Sequence, residues 1–194
     1  MKSLTTLLLL LAAGLAQAQT HEATVQQKFA SGGTIRFHLE AGGYTISPSD
    51  SDSIILTYRA RSEASLQHVK VAIKPSGSTA DVVVSDTPNS NFTVVIEVPR
   101  RSNLWARLTA GELVVENVEG DKDLEIHAGE MQVDMPHPEQ YGNCEASVLA
   151  GSLEAPAFDV DKGGLFRTFD HHGAGKYSLH AHVMTGEINL RVSD

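Results

Sequence analysis

The chain of 194 residues has one cysteine, Cys144, one tryptophan, Trp105, and aromatic residues amounting to only 6% of the total. A single cysteine excludes an internal disulfide, so packing and hydrogen bonds must hold the fold. Cys144 itself reads as a small buried hydrophobe rather than a nucleophile. Basic residues are also scarce, with 15 Lys and Arg against 24 Asp and Glu, a formal charge of −9. The sole basic doublet, Arg100–Arg101, makes no patch, which argues against nucleic acid and anionic membrane surfaces as partners. There is no G-x-S-x-G elbow, phosphate loop, dinucleotide fingerprint or H-E-x-x-H helix, so no enzyme class is announced.

Long apolar runs are missing except at the start. MKSLTTLLLLLAAGLAQAQT places one lysine before an apolar run from Leu7 to Leu15, then Ala16 and Ala18 in an A-x-A arrangement. That is the layout of a secretory signal peptide over residues 1–18, with cleavage expected between Ala18 and Gln19. No later stretch approaches the ~20 apolar residues of a spanning helix. The expectation is an exported chain, periplasmic or extracellular, not inserted in the membrane once the signal is cleaved. Residues 19–194 then suit a single domain with a real core.

Helix signals are nearly absent beyond the leader. Apolar residues alternate instead in IILTYRA (54–60), VKVAI (69–73), DVVV (81–84) and FTVVIEV (92–98). Turn formers separate them in SPSDSDS (47–53), KPSGSTA (74–80) and SDTPNSN (85–91), and Pro99 closes the longest run. These are the marks of an all-β protein.

The phrase TAGELVVE (109–116) returns as HAGEMQVD (127–134). Aligned on the glycine, five copies appear, centred on Gly42, Gly111, Gly129, Gly151 and Gly186. Each has two apolar or small residues at alternate positions before an Ala-Gly or Thr-Gly step and two after it. Five copies in register make an internal repeat. Leu108 and Leu113 lie five positions apart, an odd number that strict alternation would place on opposite faces. If both are core residues, the chain turns at Ala110–Gly111, where glycine accepts a positive φ. Ala-Gly is a poor tight-hairpin turn, which favours a corner, with successive copies stacked as parallel rungs in a β-solenoid-like fold. Spacings of 18 and 22 residues between Gly111, Gly129 and Gly151 suit one rung each. The 35-residue gap to Gly186 would hold loops around DVDKGG (159–164) and DHHGAGK (170–176). The alternative is an antiparallel β-sandwich of hairpins. The pattern leaves open whether residues 25–98 join the stack or form a flanking sheet.

These units, VVIEVP (94–99), GELVV (111–115), GEMQV (129–133), GSLEA (151–155) and GEINL (186–190), resemble those of a family of bacterial exported proteins called "putative adhesins". The resemblance runs from about Phe37 to Val192 and implies a solenoid-like fold, export and a surface or adhesive role. It brings no catalytic residues.

Four groupings are candidates for chemistry. Glu112, Glu130 and Glu187 follow their repeat glycines, with Ser152 in the fourth copy; stacked rungs would align them ~4.8 Å apart, a ladder that calcium could bridge or a merely solvated edge. His180 and His182 share a strand face, a spacing that can hold zinc, although the repeat turns both outward beside His171 and His172. Asp159 and Asp161 are paired acids in a glycine-rich segment that reads as a turn. Trp105 beside Arg107 could stack on a sugar ring. None is strong enough to name a catalytic, cofactor or metal residue. The reading is a non-catalytic binding, adhesion or scaffold protein of the cell envelope, needing no cofactor, whose partner is a protein or glycan. A carbohydrate-active solenoid enzyme, hydrolase or lyase, is the alternative. The free edges of the end rungs raise end-to-end association, with the oligomeric state open.

Overall fold

The computed structural model describes residues 21–192. Its elements are β1 (His21–Lys28), β2 (Thr34–Leu39), β3 (Gly42–Ser49), β4 (Ser53–Ala60), a short helix α1 (Glu63–His68), β5 (Lys70–Ser76), β6 (Thr79–Ser85) and β7 (Thr93–Pro99). The longer strands follow: β8 (Asn103–Val115), β9 (Lys122–Asp134), β10 (Tyr141–Ala155), β11 (Val160–His172) and β12 (Tyr177–Arg191). The fold is all-β, as the alternation indicates. The signal peptide expected over residues 1–18 lies outside the described residues.

Each long strand is one rung bent at the repeat glycine. In β8, Leu104, Ala106 and Leu108 are buried before the bend and Leu113 and Val115 after it. Both arms therefore face one core, which runs through the whole stack as a single cluster. The odd five-residue step is what makes this work, and Gly111 takes a φ of +124° to make it.

The rungs stack in parallel. β9 lies on β8 with Gly129 on Gly111, β12 on β9 with Gly186 on Gly129, and β10 on β12 with Gly151 on Gly186. On the other side of β8, its first arm pairs with β2 and its second with β3, bringing Gly42 onto Gly111. β6 and β7 form the next two-armed rung, parallel to β2 and β3. The N-terminal strands thus join the same stack rather than a separate sheet. Antiparallel strands close the ends: β5 on β6, β4 on β7 and β1 on β4 at one end, β11 on β10 at the other.

Two expectations are corrected. The 35-residue gap after Gly151 does not hold a loop at DVDKGG, which opens β11, an antiparallel strand whose Gly164 sits on Gly151, whereas the loop expected at DHHGAGK is present at 173–176, between β11 and β12. Nor are the rungs stacked in chain order. β12 lies between β9 and β10, so the step from Gly129 to Gly151 spans two rungs in space. Spacing along the sequence reports the length of a rung and carries no information about which rung is its neighbour.

The glycine column is packed backbone on backbone. A Cβ at Gly129 would collide with the carbonyl of Gly111, one at Gly186 with that of Gly129, and one at Gly151 with that of Gly186. Positive φ and close approach together exclude a side chain.

Candidate functional site

A groove of about 550 Å³ lies over this column at its N-terminal end. Its floor is the corner backbone of three rungs: Ala41 to Gly43, Ala110 to Glu112, and Gly129 with Glu130. Its wall is the segment from Pro88 to Phe92, which joins the two arms of the β6–β7 rung. This wall is held in place from both sides. Asp86 and Asn91 adopt positive φ values of 57° and 53°, a conformation that Asp and Asn accept more readily than bulkier residues. The Thr87 amide donates to Glu40 Oε2 at 3.4 Å, and the Gly43 amide to the Phe92 carbonyl at 3.1 Å. Phe92 is buried, edge-on to Tyr44 at 6.4 Å and tilted against Tyr58 at 6.5 Å.

Beneath the wall, Tyr44 is buried and its hydroxyl has no hydrogen-bond partner among the described residues. Burial, with the Glu40 carboxylate adding to it, pushes the Tyr44 phenol up. A neutral phenol is therefore fixed below the groove at any physiological pH.

The expected glutamate column is assembled here. Glu130 pairs in register with Glu112 and Glu187 with Glu130, and Ser152 continues the column on β10. Glu112 and Glu130 stand exposed on the groove's rim. Among the described residues no three His, Cys, Asp or Glu side chains are grouped as metal ligands, so no cation site is assigned. What the groove offers is the two carboxylates, the amides of Asn89 and Asn91, the Ser90 hydroxyl and the corner backbone. No lysine or arginine lines it. Such a surface accepts hydrogen bonds from hydroxyl, amide or ammonium groups and repels anions.

The other candidates do not converge on this groove. His180 and His182 both point outward, as the repeat required, but they take different partners. His180 Nδ1 lies 3.3 Å from Asp123 Oδ1, and His182 Nδ1 lies 2.8 Å from Ser147 Oγ. His171 packs on Phe158 with ring centroids 4.6 Å apart. His172 is exposed on β11, opposite Asn143. Asp159 occupies a left-handed turn position, φ 54°, as its glycine-rich context suggested. Asp161, by contrast, is in β11 opposite Glu154. Trp105 is half-buried, flanked by the His38 ring at 5.0 Å and by the Arg107 guanidinium 4.1 Å above its face. Arg107 is itself tied to Asp123 at 2.9 Å and Glu125 at 3.1 Å. One indole face is thus already taken.

Lys122 was not among the residues the sequence singled out. It is 2% exposed and its ammonium donates to the carbonyls of Val118 at 2.6 Å and Gly120 at 3.1 Å, and to the Tyr141 hydroxyl. Burial lowers its pKa to about 8 against the opposing pull of Asp121, Cys144 and Glu119. Cys144 is fully buried near it, its thiol pushed up to about 11 by burial. The signal was present in the pattern. Lys122 stands two residues before Leu124, on the inward parity of its rung. The ammonium ties down the loop that leads into β9, and a cleft of about 250 Å³ lined by Arg100, His137, Tyr141 and Tyr177 lies beside it.

No family model matches this chain, and no curated protein matches it. Solved structures do. A putative cell adhesion protein from Clostridium sporogenes aligns over 89% of this chain and 99% of its own, with a TM-score of 0.60 and 11% identity. The likeness shows the fold. Putative adhesins from Parabacteroides distasonis and Bacteroides fragilis align over 89% and 90% of this chain at 10% identity, with TM-scores of 0.32 and 0.33. The sequence resemblance to adhesin-type proteins is thus matched by a structural one, carried by the Clostridium protein. No helix of the described residues is long and apolar enough to cross a membrane.

Proposed function

We propose that this is an exported, non-catalytic binding protein of the cell envelope, and that it engages its partner through the groove on the glycine corner. The observation that carries the reading is the groove's construction. A floor centred on Gly42, Gly43, Gly111 and Gly129 lets a ligand approach the main chain, while a fixed wall of Pro88 to Phe92 supplies amide and hydroxyl groups. Uncharged, hydroxyl-rich glycans meet that chemistry, and so does a protein segment bearing lysine. The adhesion name given to the Clostridium protein of the same fold is in keeping with it.

Nothing in the groove resembles a pair of carboxylates divided into acid and base. Glu112 and Glu130 are register neighbours in one solvated column, without the unlike environments that hydrolysis needs. A glycan array and a reducing-sugar assay, run on one preparation with Asn89→Ala and Glu112→Gln variants, test the reading. Binding that both variants weaken, with no sugar released, is the expected result. Release of reducing ends from a defined polysaccharide would replace it with the enzyme reading.

A further inference from the structure

The last rung carries an apolar tip that its position does not require. Leu165 is 62% exposed and Phe166 is 75% exposed, both at the corner of β11, the outermost strand at its end of the stack. Phe166 also adopts a φ of 54°, a left-handed conformation costly for an aromatic residue. The register of β10 and β11 sets Phe166 across from Leu149, itself exposed, and the same corner position on β12 is Met184. The corner is therefore an apolar ridge over its last three rungs, whereas the equivalent positions on β8 and β9 are Thr109 and His127.

The ridge is flanked by cations. Lys162 reaches across the bend of β11 to donate to the Thr168 carbonyl at 2.8 Å, and Arg167 Nε donates to the Gly163 carbonyl at 2.7 Å. Arg167 lies over Gly164, where a side chain would displace it. Neither cation has a carboxylate partner among the ion pairs of the described residues. In KGGLFR (162–167) two positive charges thus bracket a protruding Leu-Phe pair on a protein that is otherwise acidic.

From this geometry we infer that the tip docks on a phospholipid surface, with Leu165 and Phe166 entering the boundary of headgroups and acyl chains and Lys162 and Arg167 at the level of the phosphates. A second copy of the chain fits less well. Stacked antiparallel on β11 with inward residues kept inward, it would set Lys162 against the other copy's Arg167, and Asp159 against its Asp170. Leu149, Leu165 and Phe166 line neither the groove nor the cleft beside Lys122, so the ridge offers no pocket for a protruding side chain of a folded partner. A convex apolar tip with bracketing cations suits a deformable apolar phase behind a layer of phosphate. Exposed Asp161, next to Lys162, offsets part of the attraction to phosphate, while charges more than about 8 Å away are largely screened at physiological salt.

Flotation of the purified protein with vesicles of phosphatidylethanolamine and phosphatidylglycerol, at roughly 3:1, tests the inference. The parent should float with the vesicles. The double variant Leu165→Ser, Phe166→Ser should lose about tenfold or more in partitioning, in line with withdrawing two large apolar side chains. Lys162→Ser with Arg167→Ser should bind more weakly and show less dependence on salt. Lys162, Leu165 and Phe166 are exposed and Arg167 is half-buried, and a far-ultraviolet spectrum and melting curve like the parent's would establish that the variants fold. A parent that stays with the free protein fraction overturns the inference, as does equal flotation of the Ser-Ser variant. So would light scattering showing a parental dimer that the Ser-Ser variant loses, which would give the ridge to a second copy. Glycan binding in the groove is a separate readout, so failure of either proposal leaves the other standing.

Discussion

At the scale of single residues, the repeat glycines are the most constrained positions in the chain. Gly129 combines φ +138° with a carbonyl from the next rung where a Cβ would be. Gly129→Ala should therefore lower the unfolding free energy by about 2–5 kcal/mol, adding backbone strain to overpacking, read from urea denaturation. Tyr44 behaves oppositely. Its buried hydroxyl has no partner among the described residues, so Tyr44→Phe should raise stability by up to about 1 kcal/mol in the same measurement. Lys122 adds a pH dependence whose direction is set by its lowered pKa. An unfolded chain holds this proton up to the ordinary value near 10.5, while the folded chain releases it from about 8. The unfolded state binds more protons in that window, so this group's contribution makes stability rise with pH between about 8 and 10.5. Cys144, raised from 9.0 to about 11, works the other way, its contribution being lost as pH climbs through that interval. Melting curves of the parent and Lys122→Met at pH 7.5 and pH 9 separate the two. The parent should gain on the variant with rising pH, by an amount on the order of 1 kcal/mol. No relative gain would mean that the buried ammonium keeps its proton.

At the scale of elements, legibility followed local geometry. The bend in each rung could be read because its cause is local: Leu108 and Leu113 cannot both face a core across a straight strand, and only the Ala-Gly step resolves that. The outward placement of His180 and His182 followed from the same parity. The wall of the groove could not be read this way. SDTPNSN shows a turn, but its closure over the corner depends on Phe92 finding Tyr44 and Tyr58, which come from β3 and β4. Nor could β11 be recognised as a strand. Its KGG start looks like a loop, and its pairing is imposed by β10 beneath it. The same one-sided support predicts unequal dynamics. Amides on the outer edge of β11 should exchange with deuterium far sooner than those of β9 and β12, which are paired on both sides. Equal protection along the stack would show that something covers the β11 edge in solution.

At the scale of the whole molecule, the order of the rungs is the property the sequence hid most completely. Every repeat carries the same apolar frame around its glycine, so β10 fits on β9 almost as well as β12 does. Continuity of the chain even favours that wrong choice, because β10 is synthesised and collapses first. The native stack requires the space between β9 and β10 to be held open, or reopened, until β12 enters and pairs in parallel with both. Parallel pairing between segments far apart in sequence is slow in any case, since loop closure precedes its reward. A collapsed state with Gly151 on Gly129 would add a specific trap. Refolding from urea should therefore show a slow phase that prolyl isomerase does not accelerate, because the step is strand expulsion rather than rotation about a proline bond. A Gly151→Ala substitution clashes at the native corner with Gly186 and would clash as badly with Gly129 in the trap, so it cannot distinguish the two. A cysteine pair can. With Cys144 replaced by alanine, cysteines at Glu125 and His182, register neighbours across β9 and β12, should join in the native protein. Glu125 with Ser147, which the trap would bring together, should cross-link only transiently during refolding. Prompt formation of the β9–β12 link with no β9–β10 link at any time would show that β12 inserts without a detour.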